Sequence, residues 1–226
     1  MSYNFDGVDD LVAGPAMTLG ETITILGRTH ATSAGGGSQG TVYSHGPQTS
    51  RRTALFFRAT GDGQIRFENG AATTTASWDT TAYPVTADKT IVVTFDGSAA
   101  GNNPILYVLY QGVLTPHSVG SGLTRNATRS GGQFADGGAL YVGARSHGGS
   151  AWAGWIGEVA VWTRILSAAE VAEAVFKGPR ATLRGLAAWW SYTMNTGATI
   201  YDRSGSGRHG AVTGALHNVY NPRMAF

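Results

Sequence analysis

The stretch from Gly154 to Pro179 leaves this chain few ways to fold. Its first half, Trp155-Ile-Gly-Glu-Val-Ala-Val-Trp162, is β-branched and aromatic with Glu158 as its one charge, and predicts a strand. Its second half carries both ends of a short helix. Ser167 is the N-cap, Glu170 three residues later completes a capping box, and Leu166 is placed to staple onto Val171. Lys177 suits the negative C-terminal end, Gly178 supplies the left-handed stop, and Pro179 forbids a further turn.

Short strand patterns surround this unit. Thr22–Leu26 alternates as a half-buried strand. Thr41–Ser44, Ala54–Arg58 and Gln64–Glu68 follow, the last two joined across the hairpin signal Ala59-Thr-Gly-Asp-Gly63. Thr90–Phe95, Ile105–Tyr110 and Ala139–Gly143 complete the set. Ala71–Trp78 is rich in Thr and Ala and shows no firm pattern. Pro116–Gly138 has only Val119, Leu123 and Phe134 as sizeable apolar residues and predicts a long surface excursion. Strands at this spacing, separated by Gly and Asn/Asp turns, predict an all-β, two-sheet antiparallel sandwich with one capped helix at its edge.

Composition narrows the function classes. The 226 residues suffice for one sandwich with a full core and no disulfides, and there is no cysteine. The 33 glycines have no three-residue period and so belong to turns. No apolar run reaches the roughly 18 residues of a membrane span. The net charge is +2, and Arg51-Arg52 is the one adjacent basic pair, so no nucleic-acid footprint is expected. Met1-Ser-Tyr-Asn-Phe-Asp-Gly7 has neither a basic nor an apolar signal region, and no export signal is expected.

The closing unit resembles the last segment of laminin-G-like domains in the concanavalin A-like lectin/glucanase superfamily, whose pattern reads G-x-I-D-E-V-R-I-Y-N-R-A-L-S-x-x-E. Gly154, Ile156, Glu158, Val159, Val161, Arg164, Leu166, Ser167 and Glu170 match it, while Gly157 stands where the family has Asp. Residues 2–12 resemble the family's F-D-G-x-D-D strand pair, Thr22–Leu26 its T-I-S-A-W strand, and Thr90–Gly97 its V-T-Y-D-G strand. The resemblance implies a concanavalin A-like jelly roll.

One motif is out of place. Gly185-Leu-Ala-Ala-Trp-Trp-Ser-Tyr192, followed by Gly197 and Asp202-Arg-Ser-Gly-Ser-Gly-Arg-His-Gly210, resembles the family's opening motif, G-L-V-A-Y-W…D-x-S-G-N-G-N-H-G. Relatives carry it before the F-D-G strand; here it stands at the other end. Three arrangements fit: a circular permutation, since domain termini often lie close together; the start of a truncated second repeat; or a segment exchanged with a neighbouring subunit. The expectation is one domain over 1–226, with 185–226 completing the same sandwich.

Chemistry is sparse. Glycosidase action needs two carboxyl groups, and Glu158 stands alone on its strand, so it is expected to be a strand-edge acid or a partner for Arg164, and the chain is expected not to be an enzyme. Gly36-Gly-Ser-Gln-Gly40 matches G-x-S-x-G but lacks the strand-to-helix setting of a nucleophile elbow. Asp6, Asp9 and Asp10 are the densest acid group and the candidate calcium ligands, with turn capping as the alternative. His209 is expected to serve its turn. Trp152, with His147 and Arg145 on the same Gly-rich loop, is the candidate ligand site, stacking on a sugar or folding back onto the sheet. Asn126-Ala-Thr128 is a glycosylation sequon without an export signal.

Elimination then suggests a non-enzymatic interaction module, above all a virion structural or capsid-decoration protein on a particle surface after cytoplasmic assembly. Its partners would be a major structural protein of the particle or a glycan, and a homo-oligomer is expected. The alternative is a lectin-like carbohydrate-binding module, calcium-assisted or not, reaching the outside by an unseen route.

Overall fold

The structure, a computed structural model, describes residues 2–33, 39–46, 53–58, 64–69, 74–79, 83–84, 86–99, 102–118, 124–128, 138–145, 149–192 and 197–218. Two antiparallel sheets face each other in a jelly-roll sandwich. The first runs β10 (Val113–Ser118), β9 (Ile105–Tyr110), β8 (Lys89–Asp96), β3 (Thr22–Ala31), β13 (Ala153–Trp162), β1 (Ser2–Asp6) and β17 (Leu216–Asn218), and β14 (Leu186–Ser191) also pairs with β13. The second runs β11 (Thr124–Thr128), β7 (Thr74–Asp79), β6 (Gln64–Asn69), β5 (Thr53–Arg58), β4 (Gln39–His45), β12 (Ala139–Val142), β2 (Leu11–Ala16), β16 (Gly210–Thr213) and β15 (Thr199–Ile200).

Period-2 alternation explains which face each side chain takes. Ile23 and Ile25 of β3, Ile91 and Val93 of β8, and Val159 and Val161 of β13 point inward, where they meet Leu55 and Phe57 of β5 and Ile65 and Phe67 of β6. The opposite parity of the first sheet, Leu26, Val92, Ala160, Trp162 and Trp189, receives helix α1 (Ala168–Lys177) through Val171, Ala174 and Val175. A bulge at Gly157, where the register against β3 shifts between Ile156 and Glu158, resets the parity of β13. Ile156 therefore stays in the core while Glu158 turns to the helix side.

The helix ends follow the expected chemistry. Ser167 Oγ accepts from Glu170 N, and Glu170 Oε2 accepts from Ser167 N at 2.9 Å. Leu166 and Val171 are buried in the same cluster. Gly178 closes the helix at φ +88°, a conformation that favours glycine. Arg164 holds the Glu170 carboxyl down to about 2, with help from the Ser167 backbone N–H. The capping box thus keeps its charge-assisted bonds above the ordinary glutamate range and loses them as pH falls toward 2.

Two expectations on strands change. Residues 74–79 of the Thr/Ala-rich stretch form β7, paired along its length with β6. The supposed excursion from Pro116 to Gly138 contains the end of β10 and all of β11, which pairs with β7. β10 follows from the hairpin turn: Gln111 and Gly112 both have positive φ, +49° and +80°, which matches the twist of the strands.

The C-terminal strands pair with both sheets of this same chain. β14 pairs with β13, β17 with β1, and β16 with β2. Trp190 of β14 enters the core and is 1% exposed. A Cβ added at Gly14 would lie 2.5 Å from its indole, and one at Gly210 would lie 3.3 Å from it. The two glycines leave the space that the ring fills. We therefore expect Gly14→Ala to destabilise by about 1–3 kcal/mol, the cost of overpacking a filled core. Gly20→Ala, whose added carbon meets nothing within 4 Å, should stay within about 0.5 kcal/mol. Urea melts of the two variants check this, and equal midpoints would contradict the seat.

Candidate functional site

Gly143 leaves β12 at φ +87°, with Phe5 packed where a side chain would stand. The chain then closes on itself: Trp152 N donates to Gly143 O, and Arg145 N donates to Gly149 O at 3.1 Å. Ser150, at φ +57°, accepts at its carbonyl from Thr41 N of β4 at 2.9 Å. This loop thus hangs over the second sheet beside β4. Its neck separates two side chains expected to act together.

Trp152 goes inside. It is 1% exposed and meets Phe57 edge-on, with ring centroids 5.2 Å apart. An enclosed indole has no face to offer a sugar, so the role of a stacking platform does not fit it; of its two expected placements, it takes the packed one. The ammonium of Lys89 lies 5.1 Å from the same Phe57 ring and is pushed down to about 8 by burial. His147 lies outside the described residues.

Arg145 takes the other side. Its guanidinium carbon sits 4.9 Å from the ring centre of Phe56. Leu55 and Phe57 point into the core, so Phe56 and Ala54 point to the outer face of the second sheet. Cross-strand register puts Thr41 opposite Phe56, Ser44 opposite Ala54, and Tyr141 opposite Ser44. Ser77 of β7 lies on the same face, two strands away across β6. Thr41, Ser44, Phe56 and Ser77 are each at most 4% exposed, so these side chains are covered, and Arg145, half-buried, is the more accessible group beside Phe56. Among the described residues the Thr41 hydroxyl has no hydrogen-bond partner. A buried unpaired hydroxyl costs about 1–3 kcal/mol unless something answers it. Phe56 and Thr41 read in sequence as ordinary strand residues; only the odd-even parity of β4 and β5 could have marked them.

Asp6, Asp9 and Asp10 do come together, with one carboxylate oxygen of each within 4.8 Å of the others. Two already serve the turn: Asp6 Oδ1 accepts from Val8 N and Asp10 Oδ2 from Asp6 N, both at 2.7 Å. Burial raises the Asp10 carboxyl, and the charges of Asp6 and Asp9 add to the rise while the Asp6 N–H opposes it. Crowded hard oxygens of this kind fit a calcium ion, which would relieve the repulsion.

Glu158 is not paired with Arg164. Its Oε2 accepts from Arg28 Nε and its Oε1 from Trp189 Nε1, both at 2.6 Å. Arg28 Nη2 also donates to Val175 O of the helix at 2.6 Å. Arg164 instead grips Glu170 through both oxygens. The bulge at Gly157 is the reason: it aims Glu158 along β13 toward β3 and β14. With both oxygens held, Glu158 fastens the helix to the sheet. His209 also serves its turn, accepting at Nδ1 from Asp202 N at 3.0 Å.

Glu158→Gln should therefore destabilise by about 3–4 kcal/mol, because it leaves the Arg28 charge buried without its counterion. Pairing it with Arg28→Met should recover much of that loss. Equilibrium unfolding of the single and double variants checks this. A double variant as unstable as the sum would contradict it.

Comparison with known proteins agrees with this architecture. The family model of the concanavalin A-like lectin/glucanases superfamily matches residues 9–172. No curated protein matches the chain. Among solved structures, a candidate carbohydrate binding protein from Bacteroides ovatus is similar at TM-score 0.66 and 14% identity, over 95% of this chain and 58% of that one. The enzymatically active domain of tailspike protein 2 from bacteriophage CBA120 is similar at TM-score 0.52 and 16% identity, over 74% of this chain and 26% of that one. The heptameric SAP-like pentraxin of Limulus polyphemus is similar at TM-score 0.47 and 14% identity, over 92% of this chain and 95% of that one.

Proposed function

This chain belongs to the concanavalin A-like lectin/glucanase superfamily, and we propose that within it the chain is a non-catalytic glycan-binding module whose ligand lies on the outer face of the second sheet. One observation carries the reading: the half-buried guanidinium of Arg145 is set over the Phe56 ring at the outer face of the second sheet. A guanidinium donates in a fixed fork, which suits the vicinal hydroxyls or the carboxylate of a sugar.

Catalysis has little support. Glycoside hydrolysis uses a pair of carboxyl groups flanking the bond. Among the described residues, both Glu158 oxygens are committed to Arg28 and Trp189, and the Asp6–Asp9–Asp10 group serves a turn. Calcium at that turn is proposed as a structural aid that fixes the connection from β1 in the first sheet to β2 in the second, some distance in sequence from Arg145. Display on a virion, as a homo-oligomer on a particle's major structural protein, is a second reading. In its favour stands the shared fold of a phage tailspike domain.

A glycan array probed with the full chain, with and without EDTA, tests the proposal. The expected result is binding to a restricted set of glycans, weakened about tenfold or more by Arg145→Ala and by Arg145→Gln, as for loss of a charged hydrogen bond to ligand. EDTA should lower the melting temperature by a few degrees while leaving a binding signal. Absence of any glycan signal, or binding indifferent to both substitutions, would overturn it.

A further inference from the structure

The helix side of the first sheet holds a second cluster, apart from Arg145 and Phe56. Trp189 sits at its centre, 7% exposed. Arg180, in the short 3-10 turn Pro179–Thr182 after the helix, places its guanidinium carbon 6.0 Å from the Trp189 ring centre. Arg203, in the turn that follows Asp202, places its own at 5.9 Å. The two charges are thus at most about 12 Å apart, a range over which salt screens only in part.

Acids nearby are all committed elsewhere. Glu158 is held by Arg28 and by Trp189 itself. Glu170 is held by Arg164 and Glu173 by Lys177. Asp202 accepts from the backbone N–H groups of Trp189, Ser204 and Arg208, and from Ser204 Oγ. Burial alone would raise the Asp202 carboxyl, but those three N–H groups outweigh it and hold it below the ordinary range. Among the described residues, neither Arg180 nor Arg203 has a carboxylate partner. Both lie at the outer limit of cation–π range of one indole, whose N–H is bonded to the Glu158 carboxylate.

We propose that Arg180 and Arg203, around Trp189, form an oxyanion site that takes carboxylate or sulfate groups of an acidic polysaccharide. A guanidinium fork matches both groups, and both forks lie on the same side of the first sheet, around Trp189. Two isolated charges suit a polymer that carries its anions at intervals. They are too few for a nucleic acid, where affinity grows with the number of phosphates neutralised. The site lies on the first sheet, away from Arg145 on the second, and does not rest on that reading.

Affinity electrophoresis and titration calorimetry of the full chain test it, with dextran sulfate, polygalacturonate and neutral dextran as probes. At least one charged polymer should retard the protein and neutral dextran should not. Arg180→Gln and Arg203→Gln should each weaken binding about threefold to tenfold, and together more than tenfold. Lys177→Gln should change it less than twofold, which separates this site from general charge. Arg180→Lys with Arg203→Lys should restore part of the binding and report a correctly folded site. Four results would overturn the proposal: no retardation by either polymer, unchanged binding in the double Gln variant, an equal loss in Lys177→Gln, or full displacement by inorganic sulfate at matched sulfate concentration.

Discussion

The seat of Trp190 is the contact on which the rest of the structure depends. The indole lies between the sheets, in space left by Gly14 and Gly210 of two strands of the second sheet. Its Nε1 donates to Arg208 O at 2.7 Å, and the Asp202 carboxylate holds the backbone of Trp189 beside it. A ring of that size buries roughly 150–250 Å², and here it joins a strand of one sheet to a turn that feeds the other. The interior is closed by residues from 186 onward as much as by those before them.

Alternation along β14 links this contact to the opposite side of the sheet. Trp190 points in; Trp189 points out to Glu158, which in turn holds Arg28 and, through it, the helix. A single bulge at Gly157 makes that geometry available, since without it Glu158 would share the face of Ile156. The pair of tryptophans therefore couples core closure to helix docking. It also leaves the outer face of the second sheet, with Arg145 over Phe56, outside the stabilising network. The recognition proposed for that face would be decoupled from the interactions that hold the fold, as when one sandwich serves many ligands.

Much of the fold was legible from local rules. The capping box at Ser167 and Glu170, the stop at Gly178, and the core strands of β3, β8 and β13 all follow from spacing and residue type. Thr74–Asp79 and Thr124–Thr128 were not legible: the alternation of Ala76 and Trp78 is only two residues long among threonines, and the polar Thr124–Thr128 gains strand structure from pairing with β7 at the sheet edge. The site was less legible than the fold. Trp152 and Arg145 sit seven residues apart on one loop, but the closure at Gly143 sends them to opposite sides of the sheet. Glu158 found Arg28, 130 residues away, for a reason of the same kind: a bulge shifts parity, and no count of spacing along one strand contains it. Phe56 and Thr41 matter only because their strands are neighbours.

The central claim is that residues 186–218 supply strands to both sheets of their own sandwich. Cutting the chain at Gly185 tests it most directly, by comparing the thermal unfolding and near-ultraviolet circular dichroism of residues 1–184 with those of the full chain. The account predicts a fragment without a cooperative transition or a fixed tryptophan signal, because β14, β16 and β17 and the filling of Trp190 are gone. A soluble fragment that melts cooperatively near the temperature of the full chain would contradict it.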